Sequence, residues 1–139
     1  MQKFSITALL FISGLLSAQN TNLTINISGL KNSTGIVTAE LYSSKEKFLK
    51  IAYKKGSSTI KSNSASVTFS EIPKGEYTVM IYHDLNNNGK LDKSFIGMPK
   101  EPVACSNNAK GFMGPPKYED AKFMIASDSK ITIKMNSAH

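Results

Sequence analysis

The sequence predicts an all-β domain, a Greek-key β-sandwich of about seven short strands with one short helical insert. Three observations carry that expectation. Apolar residues recur with a period of two along most of the chain, turn-forming clusters separate these runs at close spacing, and a helical period occurs in one segment.

Taken in order, Leu23, Ile25 and Ile27 alternate with Thr24, Asn26 and Ser28, the pattern of a half-buried strand. Gly29, Lys31, Asn32, Ser33 and Gly35 then form a turn cluster. Val37, Ala39 and Leu41 make the second strand, and Ala65, Val67 and Phe69 make the third. Pro73-Lys74-Gly75 suits a type II turn, in which glycine takes the positive φ. In the next run Tyr77, Val79 and Ile81 lie on one face, with Thr78, Met80 and Tyr82 on the other. Both faces are largely apolar, so this is a central strand covered on both sides. Residues 121–125 and 130–135 read as a hairpin joined by Ser127-Asp128-Ser129, and residues 102–104 add a short seventh strand. The helical exception is a short helix or helical turn over about residues 44–54: Ser43 with Glu46 matches a capping box, and Phe48, Ile51 and Ala52 follow at helical spacing.

The N-terminus carries a different signal. Lys3, an apolar stretch from Phe4 to Leu16 and the small residues Ser17 and Ala18 predict a secretory signal over residues 1–18, too short for a membrane span; the alternative is a core helix. Residues 19–139 are then a single β-sandwich domain, secreted or periplasmic and not membrane-spanning.

Composition narrows the chemistry. One cysteine in 139 residues excludes an internal disulfide or a polythiolate zinc site. All 17 basic residues are lysine, and with ten acids the net charge is +7. Six of those lysines crowd residues 45–61 (Lys45, Lys47, Lys50, Lys54, Lys55 and Lys61) against Glu46 alone. This segment reads as a solvated face or as a contact for anionic surfaces. Without arginine there is no bidentate fork for specific phosphate or nucleic-acid recognition. Cys105 with His83 lacks an orienting third group, and a lone cysteine is commonly a small buried hydrophobe.

The most informative segment is Asp84-Leu85-Asn86-Asn87-Asn88-Gly89-Lys90-Leu91-Asp92. Side-chain oxygens fall at loop positions 1, 3, 5 and 9, glycine at 6, and position 7 offers a backbone carbonyl, as in the calcium loop of helix–loop–helix proteins. Calcium is a hard cation that takes six to eight oxygens, so the expected ligands are Asp84, Asn86, Asn88 and Asp92 with the Lys90 carbonyl. Phe95 occupies position 12, where a bidentate glutamate is usual, and the flanks are strand-like. A plain hairpin turn at Asn88-Gly89 is the competing reading.

Several runs in order, Phe69 to Tyr77, His83 to Asp92, Ile96 to Glu101, Ser106 to Ala109 and Pro116 to Phe123, resemble the secreted bacterial family catalogued as domain of unknown function 2141. The resemblance covers nearly the whole chain after residue 20. It implies an exported β domain with an Asp/Asn/Gly loop and brings no established activity; that family's usual pattern differs around Ala104 and Cys105. The Pro-x-Gly-x-Tyr segment also resembles immunoglobulin-like and transthyretin-like sandwiches.

Three functions follow as expectations. The first is a non-catalytic, calcium-stabilised module that binds a protein, glycan or small molecule, or serves structurally in the cell envelope. A ligand or glycan carrier using residues 97–116 is the second. A hydrolase built on paired carboxylates such as Glu101 and Asp92 ranks last. An acid at 101, 119 or 120 turned toward the 84–92 loop favours the first, and an enclosed apolar cavity under 97–116 favours the second.

Overall fold

A computed structural model describes residues 20–135. The expected export signal lies outside them. Eight strands are present among the described residues: β1 (Thr21–Ser28), β2 (Ile36–Tyr42), β3 (Lys54–Thr59), β4 (Ala65–Ile72), β5 (Gly75–Asp84), β6 (Val103–Cys105), β7 (Phe123–Ile125) and β8 (Ser129–Lys134). They form two sheets, one ordered β4-β1-β8 and the other β3-β2-β5-β6, with β7 also pairing β5. The all-β sandwich expected from the alternation is therefore the fold.

The inner faces follow the period-two rows. Leu23, Ile25 and Ile27 of β1 meet Val37, Ala39 and Leu41 of β2 and Val79 and Ile81 of β5, all fully or almost fully buried. Burial of such side chains contributes about 1.5–3 kcal/mol each and dominates the stability of a domain this size. The outer face of the larger sheet is covered too. Phe48 packs edge-on against Tyr42 and Tyr118, with ring centroids 5.7 and 5.8 Å apart. That cover explains why both faces of β5 are apolar.

Three local expectations are corrected. The helical insert over 44–54 is a series of turns: Phe48 N–H donates to the Lys45 carbonyl, Lys50 and Ile51 N–H to Lys47, and Leu49 has a φ of 59°. A left-handed residue cannot continue an α-helix, so the segment is held as backbone turns. Lys54–Thr59, part of that expected helix and its polar tail, is instead edge strand β3. It has no apolar alternation because backbone pairing to β2 holds it, and Gly56 lets it pass close to Val67 and Phe69.

The third correction concerns the C-terminal hairpin. Residues 118–121 form one helical turn, α1 (Tyr118–Ala121), then β7 pairs β5 while β8 runs parallel to β1. Asp128 accepts the backbone N–H of Asn22 at 2.8 Å, drawing the connection toward β1. Parallel pairing sets Ile131 and Ile133 beside Ile25 and Ile27 and completes the smaller sheet. A β7–β8 hairpin would have left that edge of β1 open.

Candidate functional site: the 84–101 loop

Asp84 ends β5 and is fully buried. Its two carboxylate oxygens accept the N–H of Asn88 at 3.2 Å and of Gly89 at 2.8 Å, while its carbonyl accepts the N–H of Asn87 at 3.3 Å. These bonds wind the loop tightly, which requires Asn87 at φ 54° and Gly89 at φ 79°. Asparagine and glycine are the residues that tolerate that region.

Asp92 closes the turn from the other side. The side-chain amides of Asn86 and Asn88 donate to its two oxygens at 2.7 and 2.8 Å. Those two bonds, Asn88 first, hold its carboxyl below the usual carboxylate range. The Asn88 oxygen accepts the N–H of Lys90 at 3.2 Å. Asp84, Asn86, Asn88, Lys90 and Asp92, the expected ligands, thus lie in one connected turn. The two asparagines present amide nitrogens, not oxygens, to Asp92. Among the described residues no three His, Cys, Asp or Glu side chains stand close enough together to hold a metal ion.

Glu101 is the acid that reaches the loop. It is buried, and one oxygen accepts the N–H of Leu85 at 2.7 Å while the other accepts that of Asp92 at 3.0 Å. It therefore staples the two ends of the turn, and the Lys100 N–H donates to the Asp92 carbonyl at 2.8 Å beside it. Glu119 pairs with Lys45 instead. Both Glu101 oxygens are engaged by backbone amides, which suits an acceptor or a cation ligand and not a free general base. A cavity of about 370 Å³, widely open to solvent, adjoins the loop and is lined by Leu85, Asn86, Asp92, Lys93, Lys100 and Glu101.

Lys55 was hidden in the lysine-rich run. It donates to the Gly89 carbonyl at 2.8 Å and sits 3.8 Å from Glu40, tying β3 to the loop across 34 residues. No local pattern marks such a contact. Lys45 likewise pairs with Glu119 and Lys54 donates to the Ser70 carbonyl, so half of the six lysines in 45–61 are engaged within the domain.

Cys105 and His83 do not meet. Cys105 lies opposite Met80 on β5, and partners in register share a face, so its side chain is on the outer side. His83, an odd position like Val79 and Ile81, points to the other side and contacts the Thr34 carbonyl. Burial pushes the Cys105 thiol up to about 12, which leaves no thiolate for nucleophilic work near neutrality.

Fold and loop together define a two-sheet β-sandwich with a stapled Asp/Asn/Gly turn at the end of its central strand. The chain belongs to the bacterial family described as "Uncharacterized protein conserved in bacteria (DUF2141)", whose model matches residues 25–134. No curated protein and no solved structure matches it.

Proposed function

We propose that the protein is an exported, non-catalytic β-sandwich module whose 84–101 loop is a weak calcium-stabilised cap, used for binding or structure in the cell envelope. The observation that carries this reading is the Glu101 staple, which ties both ends of the loop that holds Asp84 and Asp92; the three carboxylates do not meet as the loop stands, and the ion would have to draw them together. Glu101 stands in for the acid that Phe95 lacks at position 12. Only three carboxylates, with Lys90, Lys93 and Lys100 nearby, imply a dissociation constant of about 10⁻⁴ to 10⁻³ M, in the extracellular range. Binding requires the Asn86 and Asn88 amides to rotate so that their oxygens face the ion, releasing Asp92 from their nitrogens.

Calcium titration followed by melting and by NMR of the asparagine side-chain amides is the test. At ten times the dissociation constant, binding to the native state alone adds about 1.4 kcal/mol. The midpoint should then rise by roughly 3–6 °C, with shifts at Asn86 and Asn88, and Asp84→Ala with Asp92→Ala should abolish both. A shift below about one degree at millimolar calcium would leave the loop as a turn closed by its own hydrogen bonds.

A further inference from the structure

Two loops of the chain repeat one pattern. Lys93-Ser94-Phe95-Ile96-Gly97-Met98-Pro99-Lys100 and Lys110-Gly111-Phe112-Met113-Gly114-Pro115-Pro116-Lys117 share lysine at the first and eighth places and phenylalanine at the third. An aliphatic residue is fourth, glycine fifth and proline seventh in both, and neither contains an acid.

Both are closed turns. In the first, Ser94 N–H donates to the Met98 carbonyl at 2.8 Å and Gly97 N–H to the Ser94 carbonyl at 2.9 Å, with Gly97 at φ 85°. In the second, Gly111 lies so close to the Gly114 carbonyl that a Cβ would stand 1.7 Å from it. Each turn therefore pushes its apolar pair outward. Relative exposure is 103% for Phe95, 70% for Ile96, 92% for Phe112 and 94% for Met113. The turns precede and follow β6, the strand at one edge of the larger sheet.

We propose that these two turns are membrane-docking tips that insert Phe95, Ile96, Phe112 and Met113 into the interface of an anionic lipid bilayer. Exposing that much apolar surface is costly for a water-facing loop; internal hydrogen bonds hold it exposed in the first turn and the close Gly111–Gly114 approach in the second. The side chains stand on convex tips, not in a groove. A fluid lipid surface accepts such a shape without a preformed pocket, whereas a protein partner must supply two matching ones. Charge selects the same occupant. Lys93, Lys100, Lys110 and Lys117 are all exposed on the shoulders of the tips, where their ammonium groups meet anionic headgroups as the rings enter. Interfacial binding combines these two contributions, buried apolar area and attraction to acidic lipid.

The chain lacks tryptophan, so Phe95→Trp and Phe112→Trp each introduce a single fluorophore at a tip. Full-length protein is titrated with vesicles of phosphatidylglycerol and phosphatidylcholine in equal parts, and separately with phosphatidylcholine alone. Tyr53→Trp, on a half-exposed residue outside both turns, serves as the control. The expected result is a blue shift and quenching by brominated lipid at both tips on anionic vesicles, weaker by roughly tenfold in apparent affinity on neutral ones, and no change at Tyr53→Trp. Replacing Phe95, Ile96, Phe112 and Met113 together by serine should cut vesicle binding at least about tenfold while leaving the melting midpoint unchanged. Support is read from tip emission and lipid quenching, so vesicle association through the N-terminal apolar stretch with the tips unshifted counts against the proposal. Unshifted tip emission with anionic vesicles overturns the proposal. So does an equal response to neutral vesicles, or a concentration-dependent blue shift without lipid, which would mean self-association.

Discussion

Glu101 accepts the backbone N–H of Asp92 at 3.0 Å, and its second oxygen holds Leu85, so one buried carboxylate fixes both ends of the turn after β5. Glu101→Ala leaves two amides without their acceptor and should cost about 2–3 kcal/mol, since hydrogen bonds to charged groups contribute more than neutral ones. Glu101→Gln should rescue little, because its amide nitrogen would face an N–H donor. Chemical unfolding of both variants checks this. A Gln variant as stable as wild type would mean that a single oxygen suffices.

Cys105 should resist modification in the folded protein. With the thiol raised to about 12 by burial, the thiolate fraction at pH 8 is negligible. Alkylation should be slow in native buffer and rapid in denaturant. Cys105→Ser should cost no more than about 1–2 kcal/mol and leave calcium or vesicle binding intact. Fast native labelling would place the thiol at the surface.

What the sequence revealed and what it concealed divide along physical lines. The rows Leu23, Ile25, Ile27 and Tyr77, Val79, Ile81 were legible because alternation records which face is buried. The turn of Asp84 to Asp92 was legible because its bonds are local, spanning a few residues. β3 was hidden because an edge strand needs only backbone pairing, which leaves no trace in Lys54–Thr59. The partners of β7 and β8 were hidden because pairing is a long-range choice, settled by which open edge remains to be covered. Lys55 reaching Gly89 belongs to the same class. The repeated turns around Phe95 and Phe112 were visible as letters, but only their exposure gives them meaning.

Thr78 supplies a test in the opposite direction. It is fully buried, yet among the described residues its hydroxyl is the one buried side-chain polar atom without a hydrogen-bond partner. Valine has nearly the same shape and removes that unpaired group. Thr78→Val should therefore stabilise the domain by about 1 kcal/mol, the lower end of the cost of a buried unsatisfied group. A loss of stability would show that the hydroxyl has a partner, such as an ordered water.

Asp92 makes the loop acid-sensitive. Its carboxyl titrates below its ordinary value of 3.8 because Asn88 and Asn86 donate to the ionised form. A lowered pKa in the fold means that its contribution is complete above the unfolded value and is lost as pH falls through the folded one. NMR titration should place the Asp92 midpoint below 3.8, and Asn88→Ala should raise it toward that value. An unchanged midpoint in the variant would remove the amides as the cause.

Two glycines beside Asp84 should respond differently to the same substitution. Gly89 has φ 79° and open space around the position of a Cβ, so Gly89→Ala carries only backbone strain, about 1–2 kcal/mol. Gly89→Asn should be milder, as Asn87 already adopts that region next to it. Gly35 has φ 74° as well, but its Cβ would fall 2.1 Å from the Asp84 carbonyl oxygen. That carbonyl cannot retreat freely. Asp84 is paired with Ile36 in the β2–β5 ladder, and its side chain is committed to Asn88 and Gly89. Gly35→Ala should therefore cost more than about 3 kcal/mol, as clash and strain add. It should also perturb the amide resonances of Asn88 and Gly89, which Gly35 does not touch in sequence. Equal costs for the two alanine variants would mean that the Gly35 turn can move away from Asp84, and that the site is not built on it.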